Sequence, residues 1–206
     1  MSDGEVVYVV DDDAGVRKSL ARLLRSAGYE AIPFASPEEF LLHVASESDG
    51  CLVLDVSMPG LDGLGLQEEL TRRGSALPIV FLTGHGDVPK SVRALKHGAR
   101  DFLTKPVDDE VLLRAVREAL AAGTAGRKSR EEISDIRRRL STLTPREREV
   151  LEGVVSGRLN KQVGGDLGIA EKTVKVHRAR VMEKMGAASL ADLVRLADRA
   201  GIRSSE

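Results

Sequence analysis

Cys51-Leu52-Val53-Leu54-Asp55-Val56-Ser57-Met58-Pro59-Gly60 is the stretch on which the reading of this chain turns. Four apolar residues run straight into one carboxylate, and the chain then turns at Pro59-Gly60. A short unbroken apolar run that ends at a turn signal is the pattern of a strand covered on both faces. Asp55 falls at its carboxyl end, where open parallel sheets place their ligand crevices. A single acid there is equally the start of a capped loop. Three other stretches raise it above that. Asp11-Asp12-Asp13, Thr83 and Lys105-Pro106 each follow another short apolar run. If those runs are neighbouring strands, all four stretches meet at one edge of one sheet.

Working outward, the same alternation recurs. The pattern predicts strands at Glu5–Val10, Glu30–Phe34, Cys51–Asp55, Ile79–Thr83 and Asp101–Thr104. Between them lie helix patterns. One carries Val16, Leu20, Leu23 and Leu24 and stops at Gly28, with Asp13 as its N-cap. Another starts at Ser36-Pro37-Glu38-Glu39, with Ser36 as N-cap and Glu39 closing a capping box, and runs to about Ala45. A third is capped by Asp62. A fourth runs from Asp87 to His97 before Gly98, after a Gly84-His85-Gly86 loop in which His85 reads as solvated. A fifth runs from about Asp108 to Ala122. Five strand–helix units in strict order mean a parallel sheet with helices on both faces.

Gly123-Thr124-Ala125-Gly126 then breaks the pattern, and Arg127–Leu140 reads as a charged linker helix. The remainder is all helical. Thr144-Pro145-Arg146-Glu147 is a capping box with proline at the first position. Asn160 is the expected cap of a short helix to Leu167. After Gly168 and a tight turn comes a helix at about Glu171–Met185, and Ser189 caps a last one. Two short helices around such a turn form a helix-turn-helix pattern. The organisation expected is residues 1–122, a linker at 123–141, and a second domain at 142–206.

The chain has 206 residues, 42% hydrophobic and 31% charged, an ordinary soluble balance. Aromatics are 3% and tryptophan is absent, so leucine and valine must build the cores. The single cysteine, Cys51, sits inside the predicted strand and reads as a small core residue of a reducing compartment. No apolar run approaches a membrane span, so the expected location is the cytoplasm, without a membrane partner. Net charge is −1, but it divides unevenly: residues 1–122 hold 13 lysines and arginines against 20 acids, and residues 123–206 hold 18 against 12. The basic half is the candidate nucleic-acid binder.

Asp11, Asp12 and Asp55 at one edge would crowd three carboxylates, which stay ionised together when a cation joins them. A few hard oxygen ligands suit Mg²⁺, which keeps waters and pairs with phosphate. A carboxylate so placed can attack phosphorus and form an acyl phosphate. Lys105 and the Thr83 hydroxyl are placed to neutralise and bond the phosphoryl group. A Mg²⁺-dependent phosphatase with an aspartyl nucleophile would want a second acid two residues on, where Ser57 stands.

Residues 1–122 resemble the receiver domain of two-component response regulators. The likeness rests on Asp11-Asp12, on Asp55 followed by Met58-Pro59-Gly60 and Gly63, on Thr83-Gly84, and on Lys105-Pro106. It implies a flavodoxin-like strand order of 2-1-3-4-5, with Asp55 as phosphoacceptor. It implies Asp12, Asp55 and the Ser57 carbonyl as Mg²⁺ ligands, with Asp11 joining them through water. It further implies Thr83, Phe102 and Lys105 as the groups that respond to the phosphoryl group, and a sensor histidine kinase as its donor.

In the predicted helix Glu171–Met185, at 100° per residue, Val174, Val181 and Met185 cluster on one side. Lys172, Val176, Ala179 and Glu183 point the other way, with Lys175 and Arg180 at the margins. Arg178 falls on the apolar side and should reach to the rim. Small and basic residues facing outward fit the major groove. Residues 142–200 resemble the LuxR-type helix-turn-helix domain, through Leu143-Thr144-Pro145-Arg146-Glu147, Asn160-Lys161-Gln162 and Thr173-Val174-Lys175-Val176-His177. Ala170 departs from it, standing where a serine N-cap is common.

With a receiver in front, the order is that of the FixJ/NarL class. The resemblance implies Lys175, Val176 and Ala179 at base edges and Lys161, Thr173 and His177 near phosphates of double-stranded promoter DNA. It implies a regulator rather than an enzyme, a homodimer on phosphorylation, and RNA polymerase as a further partner. A 3.5-residue register runs back from Leu140 through Ile136, Ile133, Ser129, Gly126, Ala122, Ala119 and Ala115 to Leu112. Such a stripe predicts helix pairing in that dimer along Ile133, Ile136 and Leu140.

Overall fold

The structure, a computed structural model, describes residues 5–45, 48–84 and 99–202. Contacts divide the chain into two units, Met1–Arg127 and Lys128–Glu206. In the first, β1 (Val6–Val10), β2 (Glu30–Phe34), β3 (Cys51–Asp55), β4 (Ile79–Thr83) and β5 (Asp101–Thr104) form one parallel sheet in the order β2-β1-β3-β4-β5. Pro33, which has no N–H for a ladder, sits on the edge strand β2. β3 lies at the centre and every one of its residues is buried.

Alternation along the strands sorts the apolar side chains onto two faces. Val7, Val9, Cys51, Val53, Val80 and Leu82 pack with Leu20 and Leu24 of α1 (Ala14–Ser26) and with Leu112 and Val116 of α4 (Asp109–Ser141). Tyr8, Val10, Leu52, Leu54 and Phe81 pack on the other face with Phe40 of α2 (Pro37–His43) and with Leu64, Leu66 and Leu70 of α3 (Gly63–Arg72). Cys51 is fully buried, and burial pushes its thiol up to about 12, in keeping with a core role.

The helix starts follow the sequence closely. Asp13 caps α1, its Oδ1 accepting from the Gly15 and Val16 N–H groups, and Asp62 caps α3 through Gly65. Ser36 caps α2, but Glu39 accepts from the Ala35 N–H rather than from Ser36, so the expected box closes one residue early. α2 ends at His43 rather than near Ala45, because Val44 has extended backbone. The expected Gly84-His85-Gly86 loop, beyond Gly84, and the helix from Asp87 to His97 with its Gly98 stop lie outside the described residues.

One expectation fails clearly. Gly123–Gly126 does not break the chain: α4 runs as one helix from Asp109 to Ser141. Each glycine disfavours a helix by about 1 kcal/mol relative to alanine, but Gly123 answers a packing need. A Cβ there would lie 2.9 Å from Pro78 Cγ, so only glycine lets the helix approach that residue without displacing it. Arg127 adds an ion pair with Asp49.

The second unit contains α5 (Pro145–Val155), α6 (Asn160–Leu167), α7 (Glu171–Met185) and α8 (Leu190–Arg199). Its core joins Val150, Leu151, Val154, Val163, Val174, Val181, Met185 and Leu193 with Ile136 and Leu140 of α4. This corrects the expected helix pairing. Ile136 and Leu140 are 4% and 5% exposed and are already covered by their own unit. No helix among the described residues is long and apolar enough to cross a membrane.

Ile136→Ala should therefore lower the stability of the second unit by about 2–4 kcal/mol, as removal of a buried aliphatic side chain does. Ile133→Ala, at a half-buried position, should cost less. Denaturant unfolding of both variants checks this; equal and small effects would contradict the packing described.

Candidate functional site

Register brings the acids together. Val10 pairs with Leu54, so Asp11 and Asp55, one residue on, end neighbouring strands. One carboxylate oxygen from each of Asp11, Asp12 and Asp55 lies within 4.8 Å of the others. Asp11 and Asp55 are 1% and 4% exposed, while Asp12 is open to solvent. Lys105 follows β5 and its ammonium crosses β4 to reach both, 2.6 Å from Asp11 Oδ2 and 2.7 Å from Asp55 Oδ1. Asp11 Oδ1 accepts from the Asp13 N–H at 2.9 Å, and its carbonyl accepts from Arg17, which hold the loop after β1 in place.

Within the cluster three carboxylates face one ammonium. Burial pushes the Asp55 carboxyl above its usual value; Lys105 pulls it back, and Asp11 and Asp12 push it up again. Burial alone would depress Lys105, but its bonds to Asp11 and Asp55 more than offset that and hold its pKa above the usual lysine value. Two negative charges remain in excess of Lys105, on hard oxygen atoms. That donor set fits a small divalent cation.

The remaining expected residues lie where their strands end. Thr83, 2% exposed, closes β4, and its hydroxyl donates to the Gly84 carbonyl at 3.1 Å. Phe102 is half-buried on β5 with its ring 5.9 Å from that of Phe81. Ser57 is exposed in the turn after β3.

In the second unit, Val174, Val181 and Met185 of α7 are buried, and Lys172, Thr173, Lys175, Val176, Ala179, Arg180 and Glu183 are exposed. The helical-angle reading of this face is thus correct. Lys175 pairs with Glu171 at 3.0 Å on an open surface, a contact of little strength. Lys161 is exposed on α6. His177 is half-buried, and its Nδ1 has no hydrogen-bond partner among the described residues. Arg178 reaches Asn160 Oδ1 at 3.3 Å. Asn160 is the first helical residue of α6 rather than its cap; Gln162 instead accepts from the Leu159 N–H at 2.8 Å. Ala170, before α7, makes no side-chain cap.

Sequence reasoning missed one buried pair. Thr144 and Glu147 form the expected capping box, and Glu147, 2% exposed, also accepts from Lys184 of α7 at 2.6 Å. A polar side chain on the inner face of an amphipathic helix was the available signal.

Residues 7–117 match the family described as "Response regulator receiver domain", and residues 141–197 match "Bacterial regulatory proteins, luxR family". The chain is 46% identical over 200 residues to Nodulation protein W of Bradyrhizobium diazoefficiens, which covers 97% of this chain and 88% of that protein. It is 45% identical over 206 residues to the transcriptional regulatory protein FixJ of Azorhizobium caulinodans, covering 100% and 98% respectively. Among solved structures it resembles the response regulator StyR with a TM-score of 0.85 at 47% identity, covering 95% of this chain and 99% of that one. It also resembles full-length FixJ from B. japonicum, with a TM-score of 0.60 at 44% identity, covering 98% and 100%.

The Lys184 ammonium, followed by the Thr144 N–H, holds the Glu147 carboxyl down to about 2. In the unfolded chain an ordinary glutamate titrates near about 4.3. A depressed folded value stabilises above the unfolded one and is lost as pH falls through the folded one. Wild type should therefore exceed Glu147→Gln in stability at neutral pH, and the gap should close between about pH 4.5 and 2. Denaturant unfolding across that range tests it; a gap independent of pH would contradict the pairing.

Proposed function

Because this chain belongs to the two-component response regulators of the FixJ/NarL class, we propose that Asp55 is its phosphoacceptor and that phosphorylation there promotes a dimer that binds promoter DNA. The class consists of transcriptional regulators rather than enzymes, and its receiver takes phosphate from a sensor histidine kinase. Residues 1–122 act as receiver, 142–206 as DNA-binding domain, and 123–141 as the helical segment joining them. One observation carries the reading: a buried carboxylate at the end of the central strand, 2.7 Å from a lysine and grouped with two further acids.

An Asp55 oxygen bonds to phosphorus while the phosphorus–nitrogen bond of the donor histidine breaks. The departing electron pair and a proton end on the donor imidazole. Asp12, Asp55 and the Ser57 carbonyl would hold Mg²⁺, with Asp11 joining through water, and the ion when bound would supply positive charge to the phosphoryl oxygens. Lys105 transfers one hydrogen bond from Asp55 Oδ1 to a phosphoryl oxygen, a charge-assisted contact. The Thr83 hydroxyl leaves the Gly84 carbonyl to donate to another. Phe102, half-buried on β5 opposite Phe81, turns with Thr83. The added charge, about −1.5 to −2, is the driving term.

In the second domain, α7 enters the major groove, with Lys175, Val176 and Ala179 towards base edges and Lys172 and Arg180 on the same exposed surface. Lys161, Thr173 and His177 lie towards phosphates. The protein acts in the cytoplasm, with RNA polymerase as a further partner.

Incubation with Mg²⁺ and radiolabelled acetyl phosphate should label wild type and leave Asp55→Asn unlabelled with its circular dichroism unchanged. A chelator should abolish labelling of wild type. Equal uptake by the variant would overturn the assignment.

Lys175→Ala should weaken binding to a duplex selected by the wild-type chain from a random library. If Lys175 grips a phosphate, the salt slope falls by about 1; if it reads a base, preference relaxes at one position. No change in either would show that the outward face is misassigned.

A further inference from the structure

The carboxyl end of α7 is tied down by groups that face away from its outward surface. A helix leaves its last carbonyls without intrahelical partners, and its negative end attracts a cation. Here the Met185 carbonyl accepts from Arg139 Nη1 at 2.9 Å. Arg139 is aimed by Asp135, one turn earlier on α4, whose Oδ2 lies 2.7 Å from Nη2. Gly186, in the left-handed region at φ 65°, leaves the necessary room: a Cβ there would lie 2.6 Å from that same Nη1. Lys184 adds a second tie, donating to the Thr142 carbonyl at 3.0 Å as well as to Glu147.

These bonds do what the core contacts cannot. Val174, Val181 and Met185 press one side of α7 against the core, and apolar packing is non-directional. It resists separation more than a small slide along the helix or a small rotation about it. A hydrogen bond from an oriented guanidinium is directional and fixes both. The outward residues stand at a radius of about 5–6 Å from the helix axis. A rotation of roughly 20° would displace them by about 2 Å, well beyond the roughly 0.5 Å that a recognition geometry tolerates.

We propose that Arg139, aimed by Asp135 and accommodated by Gly186, is a positioning residue that sets the register of α7 for base recognition. It touches no DNA and acts through the Met185 carbonyl. This rests on the reading of α7 as the DNA-contacting helix.

The test uses the full chain, phosphorylated with Mg²⁺ and acetyl phosphate to equal extent, as wild type, Arg139→Met, Arg139→Lys and Asp135→Asn. Each is measured on the wild-type-selected duplex, on a non-specific duplex of equal length, and by denaturant unfolding. Arg139→Met should lose roughly tenfold in the ratio of selected to non-specific affinity, keep its non-specific affinity and salt slope, and remain folded. Arg139→Lys should recover part of the ratio, and Asp135→Asn should lose part of it. An unchanged ratio in Arg139→Met, or an equal loss on both duplexes, would overturn the proposal. So would unfolding of both Arg139→Met and Asp135→Asn, which would make the contact one of stability alone; if only Arg139→Met unfolds, the Asp135→Asn ratio decides. Failure of the wild-type chain, phosphorylated at Asp55, to select any duplex would instead refute the DNA-contacting reading itself.

Discussion

The sheet edge is governed by a charge imbalance that one lysine only partly relieves. Lys105 holds Asp11 and Asp55, both buried, and leaves the cluster of three carboxylates short of positive charge. Buried like charges raise each other's cost of ionisation. A donor set of that kind suits a small divalent cation. The rest of the first unit serves to hold that arrangement. A fully buried central strand, two apolar faces and well-capped loops place acids from β1 and β3 beside an ammonium from beyond β5.

The same economy of means operates in the second unit. α7 has a buried side of three apolar residues and an exposed side of small and basic ones. Its carboxyl end and register depend on polar contacts from elsewhere in that unit: Glu147 with Lys184, and Arg139 with the Met185 carbonyl. Interior packing gives the module its stability, and directional bonds give α7 its placement. α4 contributes to both units, with Leu112 and Ala115 in the first core and Ile136 and Leu140 in the second.

What was legible in the sequence was mostly local. Asp13, Ser36, Asp62, Thr144 and Ser189 announce helix starts within four residues of themselves, and each does cap one. Strand runs and the outward face of α7 follow from periodicity alone. The failures share a different cause. Gly123 reads as a helix breaker until Pro78, far away in the chain, is seen against it. Periodicity found the stripe through Ile136 and Leu140 but could not say what covers it, and the cover is α5 to α8 rather than a second copy. Topology brought Lys105 to the same sheet edge as Asp11, 94 residues away, but the direct bond between them was not legible. Arg139 and Gly186 offered two weak signals, a cation in the last turn of one helix and a glycine closing another. Only their proximity gives either a meaning.

The central claim is that charge added at Asp55 is felt at the DNA-binding face. It is tested most directly by the affinity of one preparation for its selected duplex before and after stoichiometric phosphorylation, at fixed salt. Coupling between two sites commonly lies in the range of about 5–150-fold, and the account predicts tighter binding of at least roughly tenfold after phosphorylation. Equal affinity in the two states, with phosphate mapped to Asp55, would contradict it.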